Sequence, residues 1–96
     1  MDEVKGGPSA YYDFPEGAIT LNDVMEYLAY TRWQGDAVHL KDIMKAAFRW
    51  GGKTGTNKPY DARKIVYFGL RLLKVHGGNE AVRVYLDELI NNKQFQ

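Results

Sequence analysis

The segment AFRWGGKTGTNKPYDARK, residues 47–64, ends one predicted helix and begins the next. The glycines in its middle are typical of a loop, and Asn57 and Pro59 are residues that favour the start of a helix. The same segment contains a Gly-Lys-Thr triplet, a tryptophan and several basic residues. It therefore admits three interpretations, which are a phosphate-binding loop, a nucleic-acid contact and a simple turn between two helices.

The sequence on either side of this loop predicts an all-α fold, a compact four-helix domain with an irregular N-terminal arm. Apolar residues recur at helical spacing over residues 20–33, 36–50, 57–76 and 79–92. Thr20, Asp36 and Asn57 are the predicted N-caps, and Gly77 and Gly78 end the third helix. We divide the chain into an arm over 1–19, one helical domain over 20–92 and a frayed tail over 93–96.

The helical spacing also predicts which apolar side chains form the core. Each predicted helix carries one stripe at intervals of three and four residues. The stripes are Leu21, Val24, Met25 and Leu28; Leu40, Ile43, Met44, Ala47 and Phe48; Ile65, Phe68, Leu72 and either Gly69 or Leu73; and Val82, Tyr85, Leu86, Leu89 and Ile90.

The composition excludes several classes of protein. The 96 residues include no cysteine, so a disulfide scaffold, a cysteine nucleophile and a thiolate metal site are excluded. No apolar run approaches the roughly 20 residues that span a bilayer, and the polar start does not resemble a signal peptide. We expect a soluble intracellular protein without a membrane partner. Because a domain of this size buries a modest core, we also expect a homo-oligomer.

The net charge of +1 conceals an uneven distribution along the chain. Residues 41–75 contain nine basic and two acidic residues, whereas residues 1–40 contain two basic and seven acidic residues. Lys41, Lys45 and Arg49 recur every four residues and therefore lie on one helix face. Such a surface attracts phosphates, nucleic acid or an acidic protein. The sequence does not separate this interpretation from internal pairing with the acidic N-terminal half.

The Gly-Lys-Thr triplet, residues 52–54, does not belong to a Walker-type phosphate loop. That loop needs a glycine five residues before the Gly-Lys pair, and the position is Ala47. It also follows a strand, whereas this triplet follows a predicted helix. A glycine-rich turn with Lys53 can still offer N–H groups and a cation to a phosphate. The structural alternative is a helix C-cap formed by Gly51 and Gly52.

Other chemistry is sparse in the sequence. His39 and His76 lie far apart without a metal-ligand pattern, and we expect His39 to be exposed. Trp33, Trp50 and Tyr60 could stack on a base or cover a core edge, and the second role is the commoner one. The nine-residue loop is longer than the turn of about three or four residues in a helix–turn–helix motif, so we do not expect nucleic acid as the partner.

Residues 45–68 resemble the phage SaV-like family of short helical proteins, whose members are regarded as nucleotide kinases. The shared pattern places Lys, Arg, Gly and Lys before a linker, followed by Asp and Lys. The matching residues here are Lys45, Arg49, Gly51, Lys53, Asp61 and Lys64, with Phe68 at a family tyrosine. Pro8, Ser9 and Tyr11 resemble the N-terminal entry of the family, so the resemblance covers most of residues 8–74.

The resemblance implies a phage protein in the cytoplasm of a bacterial host, with a nucleotide mono- or triphosphate as its ligand. It implies nucleoside monophosphate kinase activity, with magnesium accompanying the nucleotide. On this hypothesis Lys45, Arg49, Lys53 and Lys64 hold the phosphates. Asp61 orients Arg49 or assists the metal, and Tyr11 or Trp50 stacks on the base. Arg49 and Asp61 could equally form a structural bridge that fixes the loop.

A second hypothesis needs no catalysis. The basic surface would dock on an acidic host protein, and the protein would act as a non-enzymatic phage effector. The orientation of the basic residues separates the two hypotheses, because a concave pocket favours a nucleotide and a flat surface with apolar neighbours favours a protein.

Overall fold

A computed structural model describes residues 19–96 of the chain. The predicted arm, apart from residue 19, lies outside the described residues, and so do Pro8, Ser9 and Tyr11. The α-helices are α1 (Leu21–Leu28), α2 (Ala37–Arg49) and α3 (Lys58–Ile90). A π-helical segment (Ala29–Trp33) and a 3-10 turn (Gln34–Asp36) join α1 to α2, and a second 3-10 turn covers Lys93–Phe95. The described residues contain no strand, which confirms the all-α class.

The predicted start of α1 is confirmed at Thr20. Its hydroxyl accepts a hydrogen bond from the Asp23 N–H, and the Asp23 carboxylate accepts one from the Thr20 N–H at 2.9 Å. This reciprocal pair is a capping box, which satisfies two helix-end donors at once. Asp36 is the N-cap residue of α2, as predicted, but its side chain makes no capping hydrogen bond. The π segment and the 3-10 turn carry the chain into α2, and Gln34 between them has a non-helical backbone with φ 48° and ψ −122°.

The start of α3 follows the sequence prediction closely. The Asn57 side chain accepts a hydrogen bond from the Tyr60 N–H at 2.8 Å, and Pro59 lies in the first turn. Because proline has no N–H to leave unpaired, it is suited to that position.

The predicted stop at Gly77 and Gly78 is present as a sharp bend rather than as a loop. Gly78 has φ 80° and ψ 177°, a conformation almost restricted to glycine, and helical geometry resumes immediately after it. Residues on both sides of the bend line common grooves, and these include Leu73 and Tyr85. The segments 58–77 and 79–90 therefore fold against each other as an antiparallel hairpin, and we call them the first and second limbs.

The first limb lies between α2 and the second limb. Phe68 stacks on His39 of α2 at a ring-centroid distance of 5.5 Å, whereas Leu70 lines the grooves shared with the second limb. Two residues along an α-helix correspond to a rotation of about 200°, so these neighbours lie on opposite sides of the limb. The α2 helix and the two limbs are consequently arranged side by side.

The predicted compact shape is wrong. The radius of gyration is 16.3 Å, and the principal-axis extents are 51 × 30 × 18 Å. A compact domain of this length has a radius of about 12–13 Å. The difference follows from the side-by-side arrangement, because helices in one layer leave two faces uncovered.

The core is correspondingly small. Leu21, Met25 and Ala46 are the fully buried apolar residues within 19–96. Leu21 and Met25 belong to the predicted stripe of α1, but the stripe of α2 is displaced. Ala46 is buried, whereas Ala47 and Phe48 of the predicted stripe are exposed. The second limb keeps most of its predicted stripe at the surface, including Tyr85, Leu86 and Ile90.

Candidate functional site

A buried ion pair connects the end of α2 to the start of α3. The Arg49 Nε donates to Asp61 Oδ1 at 2.7 Å, and Nη2 of the same guanidinium lies 2.6 Å from that oxygen. The other carboxylate oxygen, Oδ2, accepts a hydrogen bond from the Gly51 backbone N–H at 2.6 Å. The Asp61 carboxylate thus connects the last turn of α2, the loop backbone at Gly51 and the first turn of α3. We call Arg49, Gly51 and Asp61 the clamp.

The clamp is shielded from solvent. Asp61 is 0% exposed and Arg49 is 8% exposed. The hydrogen bond from Arg49 lowers the pKa of the Asp61 carboxyl below its usual value, and the Gly51 N–H and the charges of Arg49 and Lys64 act in the same direction. Burial opposes this shift, because removal from water disfavours the charged form. Asp61 is therefore ionised at neutral pH, and its charge is compensated inside the clamp.

Backbone geometry in the loop depends on glycine at Gly51, among other positions. Gly51 has φ 78°, and a Cβ built there would lie 2.9 Å from Cγ of Lys58. Trp50, the residue before it, is itself left-handed with φ 32° and ends α2. The predicted C-cap at 51 and 52 is therefore displaced by one residue, and Gly52 donates to the Arg49 carbonyl at 2.8 Å.

The predicted cations are distributed around the clamp. Lys45 lies one turn before Arg49 on the same face of α2 and is half-buried. Lys64 is half-buried one turn after Asp61, close enough for its charge to lower the pKa of that carboxyl. Lys53 is exposed in the loop. Arg49 differs from these lysines, since its guanidinium already binds Asp61.

The predicted base-stacking residues divide into two cases. Trp50 lies beside the clamp and is 44% exposed, so its ring is available for a contact. Tyr60, in the first turn of α3, has the same exposure. Tyr11 lies outside the described residues, and its predicted role stays a prediction.

The described residues do not fit a magnesium site held by the protein. Both oxygens of Asp61 accept hydrogen bonds within the clamp. No group of three or more histidine or acidic side chains within 19–96 is arranged to hold a metal ion. A magnesium ion would have to arrive with the phosphates of a nucleotide, which is how this metal is commonly bound.

Sequence reasoning missed three contacts that shape the region. The hydrogen bond from Gly51 to Asp61 depends on loop geometry that has no sequence signature. His39, expected to be exposed, is half-buried against Phe68, and its Nδ1 is buried without a hydrogen-bond partner in the described part of the chain. His76 bonds to Asp36 at 2.8 Å between Nε2 and Oδ2, across 40 positions of sequence. The sequence signal for this contact was that His76 and Asp36 both lie at predicted helix ends.

Three grooves formed by described residues lie away from the clamp. One separates α1 from α2, with Met25, Tyr30 and Lys41 among its lining residues. The other two flank the seam between the limbs of α3. Each has a volume of about 370 to 380 Å³.

Comparison with known proteins gives no further assignment. No protein-family model matches the chain, and neither the curated proteins nor the solved structures contain a significant match. Among residues 19–96, no helix combines the length and apolar character required to cross a membrane.

Proposed function

We propose that this chain binds a nucleotide through its phosphate groups, on the surface formed by the end of α2, the loop and the start of α3. The clamp is the observation that carries the proposal. Residues 43–67 contain six basic residues and one acidic residue, Asp61. That one carboxylate is buried and bound to Arg49.

The consequence is a local excess of positive charge. Because Asp61 is bound to Arg49, no other acidic side chain within residues 43–67 can neutralise Lys53, which is exposed in the loop. Like charges gathered on one surface raise the energy of the isolated protein and are stabilised when an anion binds. Lysines hold phosphates as point charges, without a strict geometry.

The backbone at the site adds to this attraction. The first limb begins at the loop, so the positive end of its helix dipole lies on the same surface as Lys53. Helix N-termini and glycine-rich turns present N–H groups to phosphates in many proteins.

Within this proposal Arg49 positions the loop rather than holding the phosphate. Its guanidinium is mostly buried and binds Asp61, whereas the three lysines are more exposed. The role differs from the direct phosphate contact that the family resemblance implies for Arg49.

The more specific form of the proposal is nucleoside monophosphate kinase activity in the cytoplasm of a phage-infected bacterium. Its support is the resemblance of residues 45–68 to the SaV-like family. Phosphoryl transfer depends mainly on positioning and on charge stabilisation, which a lysine cluster can supply. The chain's own residues would orient the phosphates, and the magnesium bound to the nucleotide would supply further positive charge.

The test is calorimetric titration of nucleoside mono- and triphosphates, with and without magnesium. We expect saturable binding of one nucleotide. Lys53→Glu should reduce its affinity by more than about tenfold, because an attraction becomes a repulsion. Lys74→Glu is the matched control, since it changes the net charge equally but lies on an exposed part of the first limb about 15 Å beyond Lys64 along the helix axis.

Equal losses in the two variants would mean nonspecific attraction and would contradict a defined site. Absence of binding by every nucleotide would reject the proposal. If binding is established, transfer of phosphate from a triphosphate to a monophosphate, followed by chromatography, tests the kinase activity separately.

A second candidate function is docking on an acidic host protein, with the protein acting as a phage effector. The observation that favours it is the exposure of Trp50 and Tyr60, at 44% each, beside the cations. Aromatic residues with basic neighbours are enriched in protein interfaces. Capture from a bacterial lysate that is lost in Trp50→Ala, without any nucleotide response, would support this function over the first.

A further inference from the structure

The chain before α1 combines negative charge with aromatic residues. Residues 1–18, which we call the acidic arm, contain four acidic residues and one lysine, a net charge of −3. Within the acidic arm, the segment YYDFPE over residues 11–16 intersperses two carboxylates among three aromatic rings. The acidic arm lies outside the described residues, and its sequence alone gives it the character of a segment that binds a cationic, aromatic surface.

A surface of that kind is formed by the end of α2, the loop and the start of α3, and we call it the basic surface. Lys45 and Phe48 lie about one turn apart on α2, and Lys53 follows in the loop. Three aromatic side chains are interspersed among these cations, Phe48 with 38% exposure and Trp50 and Tyr60 with 44% each. The basic surface therefore matches the acidic arm in both charge and apolar content.

The geometry of α1 and α2 shows where the acidic arm joins the molecule. Asn22 of α1 and Lys41 of α2 line one groove, together with Tyr30 and Val38. In one straight helix, a separation of 19 positions in sequence would place Asn22 and Lys41 about 28 Å apart. The chain must therefore fold back near Gln34, whose backbone is not helical, so that α1 runs back along α2.

Ile19 consequently lies beside the C-terminal half of α2. It precedes Asn22 by about one turn, and this direction along α1 corresponds to the direction towards Lys45 along α2. The Ile19 side chain is 62% exposed, so the acidic arm is attached at the protein surface. Glu16 and Asp13 precede Ile19 by three and six residues, which limits their distances from it to about 10 and 20 Å. Both carboxylates can therefore reach the basic surface.

We propose that the acidic arm docks on the basic surface of its own chain and competes there with anionic ligands. Because the two are parts of one molecule, the effective concentration of the acidic arm at this surface is high, and individually weak contacts suffice. A phosphate ligand must then displace the acidic arm, which makes the contact autoinhibitory. The competition rests on the proposed function, whereas the docking does not.

The first experiment tests docking in the full chain without a ligand. A carbodiimide joins a carboxylate and a lysine amine in contact as an amide, and takes up the released water to become a urea. At low salt and low protein concentration, we expect amides from Asp13 or Glu16 to Lys45 or Lys53, located by peptide mass spectrometry. At about 1 M salt the yield should fall by more than about fivefold, because screening then acts over about 3 Å.

The second experiment measures the competition by calorimetry, with inorganic tripolyphosphate as the probe because it supplies phosphates without a base. Asp13→Asn combined with Glu16→Gln should raise the affinity by more than about threefold, since the acidic arm then competes less. Asp36→Asn combined with Glu80→Gln is the matched control. It changes the net charge equally near the hairpin bend, where Asp36 lies about 20 Å from Arg49 along α2, and should change the affinity by less than about 1.5-fold.

Three outcomes would overturn the docking. The first is the absence of these amides or a yield that salt leaves unchanged. The second is an equal yield of amides to Lys74 on the first limb, which would mean that the acidic arm has no fixed position. The third is a set of amides found only at a doubled molecular mass, which would assign the acidic arm to the surface of a second copy.

The competition has its own opposing outcomes. If the amides form but the arm variant binds tripolyphosphate no more tightly than the control, the acidic arm docks without competing. A weaker affinity in the arm variant would mean that the acidic arm helps to hold the ligand, and would also overturn the competition. Absence of binding by both the wild type and the arm variant would reject phosphate binding on this surface, while the amides would still decide the docking.

Discussion

The clamp and the hairpin limbs are held together by different kinds of contact. At the clamp, one carboxylate accepts hydrogen bonds from the Arg49 Nε and from the Gly51 backbone N–H within 2.7 Å, and both charged residues are buried. In the limbs, large apolar residues such as Tyr67, Tyr85 and Ile90 remain exposed along grooves. The clamp is formed by three residues in contact, whereas the limbs present apolar side chains that remain exposed among the described residues.

The difference shows how a small helical protein can be rigid at one end without a large core. Polar contacts with fixed geometry specify the loop, because the Arg49 Nε–H and the Gly51 N–H each have one carboxylate oxygen in place. Apolar contacts in the limbs specify only that the two segments lie together. The effects of substitutions on stability should therefore differ in size between the two regions.

The largest effect is expected for Asp61→Asn. The amide nitrogen must face either the Arg49 Nε–H or the Gly51 N–H, so a donor opposes a donor in a buried site. Arg49 also loses its compensating charge. We expect the thermal midpoint to fall by more than about 10 °C. Asp42→Asn, the same change at the other acid of the basic segment, is the control for net charge, and equal shifts would contradict a structural clamp.

Gly78→Ala should have the next largest effect. The combination of φ 80° and ψ 177° is strained for any residue with a Cβ, and we expect a loss of about 1–3 kcal/mol in the free energy of unfolding. Gly35→Ala is the matched control, because a Cβ there meets nothing within 4 Å and no left-handed φ is involved. Chemical denaturation of both variants measures the difference, and a neutral Gly78→Ala would contradict the bend as described.

The clamp should also be sensitive to acid. The pKa of Asp61 is lower in the folded protein than its ordinary value of 3.8. Its contribution to stability is therefore complete above pH 3.8 and is lost as the pH falls below 3.8 towards the folded pKa. Thermal midpoints of the wild type and of Asp61→Asn, measured between pH 6 and pH 3, should converge as the pH falls. A constant difference over this range would show that ionised Asp61 does not stabilise the fold.

The smallest loss of stability is expected for Asp36→Asn, at the contact between the hairpin bend and the start of α2. His76 and Asp36 form an exposed pair at 2.8 Å, with 62% of the histidine side chain accessible. Exposed pairs contribute at most about 1 kcal/mol, and salt screens them. Asp36→Asn should lower the thermal midpoint by only a few degrees, and less at high salt. Asp87→Asn, which removes a pair within the second limb, is the control. A loss as large as that of Asp61→Asn would show that this contact, too, is structural.

Local features of the fold were predictable from the sequence. Thr20 and Asn57 were recognisable as N-caps because their side chains act on backbone N–H groups two or three residues away. Gly78 was recognisable as an interruption because glycine pairs rarely continue a helix. The bend at Gly78 was not predicted, since the direction of the chain after a glycine depends on what the next helix packs against.

The clamp was only partly predictable. The sequence placed Arg49 and Asp61 on either side of the loop and allowed a bridge between them. It could not show that Gly51 completes the bridge, because that contact requires the left-handed backbone at Trp50 and Gly51. The displaced stripe of α2 has a similar origin. Ala46 is buried whereas Ala47 and Phe48 are exposed, and helical periodicity alone did not identify which face of α2 would be covered.

The π-helical segment Ala29–Trp33 has a consequence for insertions and deletions in this chain. A π turn holds one more residue than an α turn of the same height, so it is equivalent to a single inserted residue. Removing one residue from this segment would restore regular helical pitch. Residues before the deletion would then rotate by about 100° around the axis relative to α2. Leu21 and Met25 would turn away from their buried positions together, and loss of this one residue would expose the buried face of α1 without altering any side chain of the core.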